Sequence, residues 1–179
     1  MTENARLFFA VNFSEELKEK IFNELVSEIP KEGFGKVSRE NLHITLAFLG
    51  YFPEEKIPEL QKKASALESF ESFEAEINCI GHFKGRVLWL GTGKGTEEFN
   101  LLSRKLCTAL EMPCEDFHAH LTLARNKGAY KKEFDSAVER LRGKKFFEKI
   151  KVRGFDLMQS TLTPKGPHYK KLFSIEFSA

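Results

Sequence analysis

The sequence predicts an α+β fold built from two similar lobes. Three observations carry that prediction. Strands and helices recur in the same order in two parts of the chain, and a nearly identical pentapeptide lies in each part. The length, 179 residues, matches one domain at roughly 150 residues per domain. The repeated segments are His43-Ile44-Thr45-Leu46-Ala47 and His120-Leu121-Thr122-Leu123-Ala124, 77 residues apart (120 − 43) and different only at Ile against Leu. A repeat of under half the chain suits two lobes related by an approximate two-fold axis. No Pro-rich or Gly-rich linker separates them, so residues 1–179 read as a single two-lobed domain whose lobes share one rigid body.

Each element has a local cause. Arg6 to Asn12 is β-rich, and Ser14 offers an N-cap before Glu15-Glu16 and the stripe Leu17, Ile21, Leu25 at helical spacing. Asn41 to Leu49 alternates as a second strand, closed by Gly50 and Pro53, and Ile57, Leu60, Ala64 and Leu67 then mark a helix. Phe73, Ala75, Ile77 and Cys79 alternate with Glu74, Glu76 and Asn78, the pattern of a strand with one wet face, and Arg86 to Leu90 follows as its partner. The order then recurs. Thr96 can cap a helix carrying Phe99, Leu102, Leu106 and Leu110, His120 to Arg125 reads as a strand, and Lys131 to Arg142 as a helix. Phe146 to Val152, Phe155 to Thr161 and Tyr169 to Phe177 finish the chain as strands, the last two joined by a turn at Thr163-Pro164-Lys165-Gly166-Pro167.

Composition narrows the function classes. Hydrophobic residues at 41% and charged residues at 30% are globular values that exclude a disordered, collagen-like or coiled-coil chain. A net charge of +2 argues against non-specific coating of nucleic acid, so any RNA contact must be focal. The apolar run Leu7-Phe8-Phe9-Ala10-Val11 is too short for a signal peptide core or a membrane span, which leaves a cytoplasmic protein with no membrane association as the expectation. Cys79, Cys107 and Cys114 form no CxxC pair and are expected as reduced, buried thiols. The 18 phenylalanines are expected to fill the core, with a few free to stack on bases.

The pentapeptides carry the chemistry. Side chains alternate faces on a strand, so His43 and Thr45 share one face about 6.6 Å apart, as do His120 and Thr122, while Ile44, Leu46, Leu121 and Leu123 face the core. If the lobes face each other, two imidazoles and two hydroxyls converge. One imidazole neutral and one protonated make a general acid–base pair near neutral pH. The threonine hydroxyls can donate to non-bridging phosphate oxygens, and Arg125, three residues beyond Thr122, adds positive charge. This set suits in-line attack of water on a phosphodiester and calls for no metal or other cofactor. Five His and eight Thr give only about 0.2 His-x-Thr pairs by chance, so two inside matching pentapeptides are informative. The isolated His82, beside Gly81, reads as a surface residue.

Asn41-Leu42-His43-Ile44-Thr45-Leu46 with Phe48-Leu49-Gly50, and Phe117-His118-Ala119-His120-Leu121-Thr122-Leu123-Ala124-Arg125, resemble the two signature strands of the 2H (two-histidine) phosphoesterases. Arg6-Leu7-Phe8-Phe9-Ala10 at the start, and Ser160-x-Leu162 with Gly166-x-x-Tyr169-x-x-Leu172 at the end, resemble the LigT-like RNA 2′,3′-cyclic phosphodiesterase branch. The resemblance covers essentially the whole chain. It implies two pseudo-symmetric lobes, each an antiparallel sheet with helices packed outside, facing a central cleft. It further implies hydrolysis of a terminal 2′,3′-cyclic phosphate to a 2′-phosphate without a cofactor, the RNA end being the partner and no obligate protein partner being implied. His43 then matches the acid that protonates the departing O3′, His120 the base that activates water, Thr45, Thr122 and Arg125 the phosphate-binding positions, and Tyr169 a residue near the cleft. The chain departs from the family at Ala47, where many relatives carry Arg or Lys, and at Gly35-Lys36-Val37; Lys36 or Arg39 offers compensating charge, although both read first as solvated.

Other readings remain at this point. His118 and His120 form a His-x-His that can bind zinc, but no third ligand lies at a familiar spacing, and His118 is expected to pack beside the site. A non-catalytic module that binds RNA ends would use many of the same groups, and 2′,5′ joining of RNA ends is a further possibility within the family. Phe48 can stack on a base at the mouth of the cleft, although by simple alternation it faces the core. Lys127, Lys131 and Lys132 read as a solvated helix start that can also meet an RNA backbone.

Overall fold

The computed structural model describes residues 3–114, 116–164 and 166–178. Its elements are β1 (Asn4–Asn12), α1 (Glu15–Ile21), β2 (Phe34–Lys36), β3 (His43–Pro53), α2 (Ile57–Ala64), β4 (Phe73–Phe83), β5 (Val87–Thr92), α3 (Thr96–Ala109), β6 (His120–Asn126), α4 (Lys131–Gly143), β7 (Glu148–Val152), β8 (Gly154–Thr163) and β9 (Gly166–Glu176). They form a four-stranded sheet, β3-β1-β8-β9, and a five-stranded sheet, β2-β6-β5-β4-β7. Adjacent strands pair antiparallel in both. Helix α3 packs against β3 and α4 against β4. The fold is thus the two-sheet α+β architecture the repeat implied. Among the described residues no helix is long and apolar enough to cross a membrane.

Local signals explain most elements. Ser14 Oγ accepts from the Leu17 N–H at 3.3 Å, and Ile21 and Leu25 of the expected stripe are fully buried. The helix of residues 57–64 closes with a 3-10 turn over Ser65–Leu67, which buries Leu67. The larger core draws Phe9, Ile44, Leu46, Leu90, Phe99, Leu121 and Phe155 from both sheets and from α3, and Phe8, Ala10 and Met158 form a smaller cluster beside Tyr169. Its large aromatic content accounts for much of the phenylalanine surplus.

Several expectations need correction. Strand β2 is absent from the sequence reading because three residues carry too little periodicity, yet it joins the sheet of the second repeat through β6. β8 and β9 likewise return to the sheet of the first repeat, so the lobes are interleaved in sequence. Strand β3 does not close at Gly50: it runs to Pro53 with Gly50 at φ +69, a conformation that suits glycine. Thr96 is the first residue of α3 and its hydroxyl donates to the carbonyls of Thr92 and Gly93, while Gly95 at φ +90 takes the cap position. Only Cys107 is buried; Cys79 and Cys114 are exposed. At Cys79 the cause is a bulge that leaves Asn78 unpaired between Ile77↔Thr92 and Cys79↔Gly91, reversing the alternation. The β8–β9 hairpin is tighter than expected, with Thr163 pairing Gly166, and Lys165 of the predicted turn lies outside the described residues.

Candidate active site

Strands β3 and β6 present the two repeats in the same way. In each, the first and third residues are half-buried, the second, fourth and fifth are buried, and the sixth is exposed. In both strands the regular period breaks just after the threonine. Phe9 pairs Ala47 and Ala10 pairs Thr45, which leaves Leu46 as an extra residue; Leu88 pairs Ala124 and Trp89 pairs Thr122, which leaves Leu123 as its counterpart. Each bulge turns the next outward side chain onto the face of the histidine and threonine. Phe48 and Arg125, 77 residues apart, therefore occupy equivalent places on the cleft face. Alternation alone put Phe48 in the core; it is 49% exposed.

The imidazoles are oriented by backbone. His43 Nδ1 donates to the carbonyl of Asn41 at 2.7 Å, and His120 Nδ1 donates to the carbonyl of His118 at 2.6 Å. Asn41 and His118 are themselves equivalent in the repeat, and both stand two residues before their histidine. This fixes the neutral tautomer with the lone pair on Nε2. His43 Nε2 accepts from Thr45 Oγ1 at 3.0 Å. Asn41 is held in turn by its Nδ2, which donates to the Pro167 carbonyl at 2.8 Å.

Each histidine is walled by aromatic rings. Phe8 and Tyr169 lie 5.0 and 5.3 Å from the His43 ring, and Phe8 stacks on Phe48 at 5.7 Å. Phe83 is edge-on to His120 at 4.8 Å, and His118 lies 4.5 Å from Trp89 and 5.7 Å from His120. Trp89 lies flat on the second sheet, since a Cβ at Gly81 would come within 2.3 Å of the indole and one at Gly91 within 2.8 Å. Two glycines make room for a flat aromatic floor. Along the first sheet Asn12, opposite His43, donates to Asp156 at 2.7 Å, and Asp156 also accepts from Ser174 at 2.5 Å.

Burial sets the protonation. It pushes His43 down to about 4, with smaller contributions from the charges of Lys18 and His120. Strands β3 and β6 pack directly against each other across the two sheets. Burial also lowers His120, helped by the charges of His118 and Arg125. Both imidazoles are therefore neutral at pH 7. Burial raises the Tyr169 hydroxyl, while the charges of Arg125 and Arg6 pull it back.

The structure thus gathers His43, Thr45, Phe48 and Tyr169 on one sheet and His120, Thr122 and Arg125 on the other, with His118 in the segment that leads into β6. Lys36 is directed elsewhere: it pairs with Ala124 on the face opposite Arg125, and its Nζ donates to the Ser27 carbonyl. Lys131 pairs with Asp135 at 2.7 Å on the helix surface, and His82 is exposed, with Nδ1 accepting from the Gly85 N–H. Sequence reasoning missed Arg6, Phe8, Phe83 and Trp89 as cleft residues. For Arg6 and Phe8 the signal was available, since they share a strand face with Ala10 and Asn12 at a period of two. Among the described residues no group of three or more His, Cys, Asp or Glu is placed to hold a metal ion.

Comparison with known proteins identifies the family and the fold. Residues 13–163 match the 2'-5' RNA ligase superfamily. An Archaeoglobus fulgidus protein named RNA 2',3'-cyclic phosphodiesterase is 36% identical over 174 residues, covering 93% of this chain and 97% of its own. A Thermotoga maritima protein of the same name is 33% identical over 183 residues, covering 96% and 95%. The crystal structure of E. coli LigT complexed with 3'-AMP superposes with a TM-score of 0.79 at 26% identity, covering 99% of this chain and all of that one. With residues 13–163 matched, a shared fold and near-complete coverage, the chain belongs to the 2'-5' RNA ligase superfamily and has the LigT fold of the two-histidine phosphoesterases.

Proposed function

We propose that this protein hydrolyses RNA ends bearing a 2′,3′-cyclic phosphate to a 2′-phosphate. The observation that carries the reading is the pair of imidazoles on symmetry-related strands, each with Nδ1 tied to a carbonyl, which makes Nε2 the proton-transfer atom; at His43 that atom meets the Thr45 hydroxyl. The names of the relatives supply the substrate class.

The mechanism follows from the groups present. A water oxygen attacks phosphorus as His120 Nε2 removes its proton, and protonated His43 Nε2 gives a proton to O3′ as the P–O3′ bond breaks. Thr45, Thr122 and Arg125 hold the non-bridging oxygens, where negative charge builds. Burial keeps both imidazoles neutral at pH 7, so His43 takes up its proton as the substrate binds: the phosphate anion favours the charged form of a nearby imidazole. Residues 1–179 act as one two-lobed unit, because each lobe supplies half of the acid–base pair, and no cofactor takes part in these steps.

The test is a short RNA ending in a 2′,3′-cyclic phosphate, incubated with the protein in excess EDTA, with chemical identification of the new end. A 2′-phosphate is expected. A 3′-phosphate would reverse which ester bond breaks, and retained binding without turnover would leave an RNA-end-binding module.

A further inference from the structure

The geometry points to a second phosphate site at the rim of the cleft, formed by Arg6 supported on Phe48, which takes the phosphate on the 5′ side of the reacting nucleotide. The inference rests on the proposed function and extends it from the reacting group to the RNA chain behind it.

Arg6 lies on the cleft face of β1. Its guanidinium carbon is 5.1 Å from the centre of the Phe48 ring, and Phe48 is backed by the buried Phe8, which touches His43. A guanidinium held over a phenyl ring is fixed in direction while its N–H groups stay free. Arg6, Ser160 and Tyr169 form one row across β1, β8 and β9, with the small Ser160 between them. That row brings Arg6 to Tyr169, whose ring borders His43 and whose hydroxyl responds to both Arg6 and Arg125. Among the described residues neither arginine is paired with a carboxylate.

The repeat explains why there are two. Lobe two carries Arg125 at the outward position after its bulge, whereas lobe one carries Phe48 there and brings its guanidinium from the adjacent strand. Arg6 reaches His43 through two rings, its guanidinium lying over Phe48, Phe48 stacking on Phe8 and Phe8 meeting the imidazole, whereas Arg125 acts on His120 itself. A cyclic phosphodiester carries one negative charge, and Arg125 with two threonines already meets it. The other anions of an RNA end are its internucleotide phosphates, the first of which is joined to the 5′ oxygen of the reacting ribose.

The experiment compares kcat/KM for adenosine 2′,3′-cyclic phosphate, its 5′-phosphorylated form, and a diadenosine ending in a 2′,3′-cyclic phosphate. The wild type is expected to favour each 5′-phosphate-bearing substrate by at least about tenfold, the scale of one charge-assisted contact. In Arg6→Ala that ratio falls towards one. Arg6→Lys keeps part of it, and Phe48→Leu lowers it about two- to fivefold through loss of the ring under the guanidinium. A preference for the diadenosine alone would assign the site to the diester of a chain, and an equal preference would assign it to any 5′-phosphate. A wild-type ratio near one, or an Arg6→Ala loss in equal proportion for all three substrates, overturns the inference. Equilibrium binding of adenosine 2′-phosphate against adenosine 2′,5′-bisphosphate needs no turnover. A wild type that hydrolyses none of the substrates defeats the proposed function, while the Arg6 site stands only if the bisphosphate binds more tightly and Arg6→Ala erases the difference.

Discussion

Leu46 and Leu123 are the same bulge in two lobes, and each has its freed carbonyl capped by the other part of the chain. Ser103 of α3 donates to the Leu46 carbonyl at 2.8 Å, and the Val37 N–H donates to the Leu123 carbonyl at 3.0 Å. A bulge costs ladder hydrogen bonds, and a buried carbonyl without a donor is expensive. The caps remove that penalty and hold each histidine strand to an element beside it, α3 against β3 and the end of β2 against β6 in the same sheet.

Ser103→Ala therefore leaves a buried acceptor unpaired. The expected loss is about 1–3 kcal/mol. For a chain of this size that lowers Tm by roughly 2–4 °C per kcal/mol. Calorimetry of the variant checks it, and an unchanged Tm would show that the capping bond contributes nothing net.

Removing either imidazole should halt chemistry without unfolding the protein. His43→Ala and His120→Ala are each expected to lower kcat on a cyclic-phosphate RNA end by at least about 10²-fold, the low end for a general acid or base. Near-wild-type turnover in either variant, with the fold confirmed by circular dichroism, removes that residue from the mechanism.

The site was legible in the sequence to the extent that it follows a period of two. His43 and Thr45 read correctly as one face, and Ile44, Leu46, Leu121 and Leu123 as the buried other face, because no irregularity intervenes between them. Beyond Leu46 the same rule failed. A bulge has no side-chain signature of its own, so Phe48 was assigned to the core and Cys79 was misplaced for the same reason. Arg125 is named from the sequence as a charge near Thr122 and not by its phase, which the bulge at Leu123 sets. Strand β2 and the return of β8 and β9 to the first sheet depend on long-range pairing that local pattern does not encode.

Trp89 is the sole tryptophan, so its fluorescence reports on the cleft floor alone. Gly81→Ala places a methyl where the indole lies, at 2.3 Å, and the ring must move. Overpacking of this kind is expected to cost about 1–3 kcal/mol. The emission maximum should shift and the Tm should fall together. An unchanged spectrum would mean that the indole does not rest on Gly81.

The depressed histidines set the direction of the pH dependence. For stability, His43 at about 4 and the lowered His120 both bind protons more weakly than in the unfolded chain, where histidine titrates near 6.5. Their contribution is complete above pH 6.5 and is lost as pH falls towards about 4, so Tm should drop on acidification through that window. For catalysis the mechanism needs one imidazole protonated and the other neutral, and in the free enzyme that state is most populated below pH 6.5. The kcat/KM profile, which reports the free enzyme, should therefore be bell-shaped with its maximum on the acid side of 6.5. A bound phosphate raises the imidazoles, so binding of adenosine 2′-phosphate at pH 7 should take up protons, measurable as a dependence of the calorimetric heat on buffer ionisation enthalpy. A kcat/KM maximum at pH 8 or above, or phosphate binding without proton uptake, would show that the histidines do not share a proton as the geometry requires.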